Sequence, residues 1–209
     1  ASQVGIKVRG SSTSGRSKAS LSLEVQDEFG QDRNLSLLGM PNESDWVLWG
    51  PYNFDLTLMH NPFIFELSRR IGRYAPRTRF VEVYLNTGGG ALSSSDYYGV
   101  YALMEKISRD ADRVDVERLF EEHKKEPDVS GGYIFKIDRS DPGDSGFGAA
   151  GQNIKYVYPK EEEIERPELD AQQQYVRQFF NEMGTALNAS YFKDPKRGYA
   201  KYIDVDAAI

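Results

Sequence analysis

The sequence predicts an α+β fold, and three observations lead there. Several segments alternate apolar and polar residues with the two-residue period of a half-buried strand. These strands come mostly before the helices rather than alternating with them. One long late stretch instead repeats apolar residues every fourth position, which is the helical period. The 209 residues suit one large domain or two small ones. The sequence has no cysteine, which excludes both a disulfide scaffold and a thiolate metal site.

Residues 4–9 form a short alternating run, read as a strand. A loop of small polar residues, 10–17, follows. Ala19, Leu21, Leu23 and Val25 then alternate with Ser20, Ser22 and Glu24, so the pair predicts a β-hairpin with a long Gly/Ser connection. Residues 27–34 are a polar turn, and the apolar stretches 35–40 and 46–49 read as further strands. Asp55 or Asn61 can cap a helix with Pro62 at a first helical position. Ile64, Leu67, Ser68 and Ile71 would share one face of it, with Glu66, Arg69, Arg70 and Arg73 opposite. The clearest strands are 80–85 and 98–103, joined by the Gly/Ser-rich stretch 87–96. Residues 114–122 read as a short helix, 133–137 and 154–158 as strands, and 139–151 as a Gly/Asp/Ser loop. A helix over 167–187 carries Tyr175, Phe179, Met183 and Leu187 on one face, with Val176 and Phe180 beside them. Asp204 sits where a helix N-cap belongs. The chain opens in a strand and stops within a first helical turn, so it is expected to be a piece of a longer protein.

The formal net charge of −6 argues against a nucleic-acid binder, which needs a basic footprint. No apolar run approaches the length of a membrane-spanning helix. His60 and His123 have no partner at ligand spacing, so a zinc site is not expected. The run Glu161-Glu162-Glu163 reads as a solvated turn before the long helix, and no G-x-S-x-G elbow supports a serine hydrolase.

Gly10-Ser11-Ser12-Thr13-Ser14-Gly15-Arg16-Ser17 nearly matches the phosphate loop G-x-x-x-x-G-K-[ST], with Arg16 where the lysine belongs. A run of small residues exposes successive backbone N–H groups that can point at phosphate oxygens. Arg9, Arg16 and Lys18 add positive charge. A true P-loop must open a helix, and the residues after Ser17 alternate like a strand instead. Two readings stay open from this segment by itself: a glycine-rich hairpin loop over a nucleotide, as protein kinases use, and a hairpin connection whose charges face water.

Further motifs are spread along the chain. Arg9-Gly10-Ser11-Ser12 with Lys18, Leu38-Gly39-Met40 and Asp45-Trp46-Val47-Leu48 come first. Pro76 with the strand 80–86 follows, then Gly99-Val100-Tyr101-Ala102-Leu103-Met104-Glu105-Lys106-Ile107. Gly131-Gly132-Tyr133-Ile134 with Lys136 and Asp138, and last Tyr202-Ile203-Asp204-Val205-Asp206, complete the series. In this order they resemble the CotH kinase family (spore coat protein H-like atypical protein kinases), and specifically its N-terminal portion. Ser11 departs from the family's asparagine, and the hairpin loop 88–97 is enlarged.

What the resemblance implies is an atypical protein-kinase-like fold, with a mainly antiparallel N-terminal lobe plus helices and a truncated C-terminal part. Residues 1–209 would be one incomplete domain: 1–160 the sheet-rich nucleotide-binding portion, 161–209 the start of a helical portion. The implied activity moves the γ-phosphate of ATP to Ser/Thr of coat or secreted proteins. ATP and Mg²⁺ are the implied cofactors, a coat or cell-surface protein the partner, and the spore coat or an extracytoplasmic space the location. The family's catalytic and metal-binding aspartates follow the Y-I-D-V-D segment, so none is expected here and the stretch is expected to be inactive by itself. The alternative is a non-catalytic surface, coat or adhesin-type protein-binding module of the same fold.

On this reading Arg9, Gly10, Ser11, Ser12, Ser14 and Lys18 would hold phosphate. Met104, Glu105 and Lys106 would pass the adenine through their backbone groups. For Lys18 the other reading is a solvated lysine at a strand edge; for Glu105-Lys106 it is an ion-paired strand end. Lys136 and Asp138 point to one face of a strand and read as a surface pair.

Overall fold

In a computed structural model of the chain, which describes residues 2–10, 13–51, 54–138, 140 and 143–208, the first hairpin forms as its alternation requires. Strand β1 (Gln3–Arg9) pairs antiparallel with β2 (Ser20–Gln26), Val8 opposite Leu21 and Arg9 opposite Ser20. Strands β3 (Asp45–Trp49), β4 (Thr78–Tyr84) and β5 (Tyr97–Glu105) complete a five-stranded antiparallel sheet in the order β1-β2-β3-β5-β4. Helix α1 (His60–Arg70) lies between β3 and β4 in sequence. This sheet and helix belong to one compact unit, Ala1–Ile107.

Trp46, Val47 and Leu48 are all buried, because β3 is central and covered on both faces. On one face Leu21, Val25, Trp46, Leu48, Tyr101 and Leu103 pack beneath Met40. On the other, Val47, Ala102 and Met104 meet Phe65 of α1. The Trp46 indole N–H is satisfied by the Glu43 carbonyl at 2.9 Å, so the ring is buried without an orphaned donor.

Two expectations fail in this unit. Residues 35–40 are a turn, not a strand: Leu38 and Gly39 both take positive φ, and the Met40 amide bonds back to the Leu37 carbonyl. The apolar stripe of α1 faces outward, with Ile64, Leu67 and Ile71 exposed, while Pro62 is buried and Phe65 packs on the sheet. Of the two candidate caps, Asp55 performs the role from five residues upstream. Its buried carboxylate accepts the His60 amide at 2.9 Å and the Thr57 hydroxyl at 2.7 Å. Burial pushes that carboxyl up, but these donors outweigh it and hold it below the usual carboxylate range.

The second unit, Ser108–Ile209, holds a three-stranded antiparallel sheet. Its strands are β6 (Ile134–Ile137), β7 (Gly146–Ala149) and β8 (Gln152–Tyr158), in the order β6-β8-β7. Helices α2 (Glu161–Ile164), α3 (Asp170–Asn188) and α4 (Val205–Ala208) follow. The acidic run is thus one helical turn rather than an irregular one. Asp204 caps α4 as expected, its carboxylate accepting the Ala207 amide at 3.2 Å. Leu119, Phe147, Ile154, Tyr156, Ile164 and Val176 form the core, with Phe135 and Phe180 against it.

Strand β7 lies inside the stretch expected to be a loop. Two glycines mask its pattern, and a tight turn with Ala150 and Gly151 both at positive φ joins it to β8. Residues 114–122 are not helical. The Val116 carbonyl accepts Arg109 Nε and the Leu119 amide donates to the Tyr158 hydroxyl, so these groups serve tertiary contacts instead of a helical ladder. Along α3 the buried positions are Gln172, Val176, Gly184 and Ala186, with Phe180 packed on the core; the expected stripe is rotated by about one residue, leaving Leu187 exposed. The chain is therefore α+β with mostly antiparallel sheets and few helices.

Candidate functional site

The bend between β1 and β2 is shaped from its first residue. Gly10 sits at φ +89°, a left-handed conformation that glycine adopts without steric cost. A Cβ there would collide with the Thr13 hydroxyl oxygen. A turn follows, the Arg16 amide bonding to the Thr13 carbonyl at 3.2 Å, and Ser14 lies exposed within it. After the bend comes strand β2, not a helix, which rules out a Walker-type arrangement. Arg9 ends β1 and is exposed. Ser11 and Ser12 lie outside the described residues.

Lys18 stands just before β2, half-buried. Its ammonium lies over the Tyr101 ring, 4.8 Å from the centroid. Among the described residues it has no carboxylate partner, and burial lowers its pKa from the ordinary lysine value. Tyr101 is fully buried and stacks on Tyr98 with ring centroids 5.8 Å apart. Its hydroxyl donates to the Ala19 carbonyl at 3.3 Å; burial, with Tyr98 alongside, pushes that hydroxyl's pKa up, so it stays a neutral donor. A half-buried cation held by a ring instead of a carboxylate is available to an incoming anion.

The other candidate residues end β5. Met104 is buried among Val47, Ala102 and Phe65, and pairs in register with Val47 and Thr78. The Glu105 side chain is fully buried. It accepts Arg77 Nη1 at 2.8 Å and the Arg77 amide at 2.7 Å, while its own amide donates to the Arg77 carbonyl. Lys106 Nζ lies 2.8 Å from Asp45. The side chains of Glu105 and Lys106 therefore hold the sheet together, and the Met104 and Glu105 backbone is flanked by β3 on one side and by Arg77 and Thr78 on the other. Tyr101 and Glu105 are four residues apart on one strand, on the order of 14 Å.

Sequence reasoning missed Arg77, since a pair 28 residues apart leaves no local pattern. It also missed Tyr101 as the support of Lys18. In the second unit Lys136 pairs with Asp144 at 2.8 Å. Among the described residues no group of three or more His, Asp or Glu side chains could hold a metal ion, and no helix is long and apolar enough to cross a membrane.

These parts define an α+β protein whose first sheet carries a glycine-bearing hairpin loop and a lysine with no carboxylate counter-ion among the described residues. The family model described as CotH kinase protein matches residues 6–209, and the chain belongs to that family. Neither a curated protein nor a solved structure matches it.

Proposed function

We propose that this chain carries the nucleotide-binding part of a CotH-like atypical protein kinase, and that residues 9–18 receive the phosphates of ATP. The observation that carries the reading is Lys18: a half-buried lysine with an aromatic ring beneath its ammonium, no carboxylate partner among the described residues, and a turn opened by Gly10 just before it in the chain. Phosphoryl transfer needs positive charge and N–H donors on the phosphates before any chemistry begins. Arg9, Gly10, Ser11, Ser12, Ser14 and Lys18 would supply these, while backbone groups of Met104, Glu105 and Lys106 would border the adenine.

In this reading all 209 residues belong to one domain of protein-kinase-like fold, 1–160 sheet-rich and 161–209 opening a helical portion. Its acceptor is a Ser/Thr hydroxyl of a coat or secreted protein. Mg²⁺ would neutralise charge on the β- and γ-phosphates. The described residues contain no carboxylate set that fits the ion.

Calorimetric titration of the chain with ATP tests the reading. Wild type should bind saturably. Lys18→Ala should lose at least about tenfold in affinity, as befits a charge-assisted contact of roughly 1.5–3 kcal/mol, and Arg9→Ala should also weaken binding. No saturable binding by wild type, or unchanged affinity in both variants, would sink it.

A further inference from the structure

Lysine side chains on a surface normally sample many rotamers. That of Lys18 instead lies along a surface formed by Gly50, the Tyr101 ring and Gly99. Gly50 directly follows β3, and its amide donates to the Ser20 hydroxyl at 3.1 Å. A Cβ at Gly50 would meet Tyr101 Cε1 at 2.5 Å and Lys18 Cγ at 3.2 Å. A Cβ at Gly99, two residues before Tyr101 on β5, would lie 3.8 Å from Lys18 Cε and Nζ. The near end of the side chain thus passes over Gly50, the ammonium sits over the Tyr101 ring, and the tip reaches Gly99. The Tyr101 hydroxyl holds the neighbouring Ala19 carbonyl, so one tyrosine fixes both the lysine's side chain and the backbone beside it.

We propose that Gly50, Tyr101 and Gly99 are positioning residues that hold Lys18 in one extended conformation, so that its ammonium is already placed when the phosphates of ATP arrive. The inference rests on the nucleotide reading above. None of the three need touch the nucleotide. A cation ordered beforehand loses less conformational freedom on binding, and among the described residues a ring holds it rather than a neutralising carboxylate that would compete with phosphate. Glycine is required at 50 because the ring and the lysine stem approach there, not because of its dihedral angles. At 99 the reason is the φ of +124°, because a Cβ 3.8 Å from the lysine would make only ordinary contact.

The test has two arms on the full chain. The first is proton NMR without nucleotide. The Lys18 ε-methylene should be shifted upfield by the ring in wild type, keep the shift in Tyr101→Phe and lose it in Tyr101→Leu. An unshifted signal in wild type overturns the proposal even if no variant folds. The second arm is ATP affinity. Tyr101→Leu should lose about five- to tenfold, and Tyr101→Phe, which keeps the ring, should rescue most of that. Adding Tyr101→Leu to Lys18→Ala should cost nothing further. A second multiplicative loss in the double variant would mean that Tyr101 acts through folding, and the positioning role would fall. If ATP binds, Lys18→Ala weakens it and Tyr101→Leu does not, the positioning role falls while the nucleotide reading survives. If wild type binds no ATP, the nucleotide reading itself falls and takes the purpose of this arrangement with it.

Discussion

Removing Arg77 should cost the first unit more than removing Glu105, although the two form one pair. The Glu105 carboxylate is completely buried, whereas a third of the Arg77 side chain is exposed. In Arg77→Met the aliphatic stem keeps its packing, but a buried charge is left with the residue-77 amide at 2.7 Å and no guanidinium. Breaking a buried pair in this way costs about 3–5 kcal/mol. In Glu105→Gln the guanidinium can turn towards water, so a loss of about 1–2 kcal/mol is expected. The double variant should recover much of the loss, with a coupling energy of roughly 2 kcal/mol. Both tryptophans, Trp46 and Trp49, lie in β3, and Trp46 is the register partner of Glu105. Urea melts followed by fluorescence therefore report on this unit. By temperature, each kcal/mol should move its midpoint by about 4–8 °C. A deficit below about 1 kcal/mol in Arg77→Met, or equal effects with and without Glu105, would refute the reasoning.

Three further outcomes are expected. Gly10→Ala forces a side chain into the left-handed region and onto the Thr13 hydroxyl, so stability should drop by about 1–2 kcal/mol and ATP affinity with it; a variant that binds and melts like wild type contradicts the shape given to the bend. Asp55 has its carboxyl held low in the folded state, so its contribution is complete above the ordinary carboxylate range and is lost as pH falls through the lowered folded value. Asp55→Asn should accordingly flatten the acid limb of a stability–pH curve, and an unchanged limb would speak against the cap. Trp46→Ala removes a fully buried ring and should cost about 3–5 kcal/mol in thermal melts monitored by circular dichroism, a near-neutral result being incompatible with its burial.

Where a single face decided burial, the sequence was readable. Leu21, Leu23 and Val25 alternate because β2 has one face on the core, and the Gly/Ser connection before them marks the hairpin. Patterns set by distant partners were not readable. Gly146-Phe147-Gly148-Ala149 becomes a strand because β8 pairs with it, not through its own propensity. In α1 the apolar residues that looked like the buried stripe are exposed, since burial there follows Phe65 and Pro62. The site divides the same way. Gly10 and Lys18 are legible as a glycine bend with a nearby cation. That Lys18 meets Tyr101, 83 positions later, depends on β5 entering the sheet beside β3.

That insertion of β5 bears on how the chain reaches its native state. β1, β2 and β3 pair successively along the sequence, and β4 with β5 forms a second local hairpin. Only the β3–β5 seam joins them, bringing Trp49 to Ala102 across roughly fifty residues, a loop closure worth about 3.5 kcal/mol of entropy. The two local pieces can assemble early and the seam late, because non-local pairing slows folding. Stopped-flow tryptophan fluorescence would follow that last event from within β3 itself.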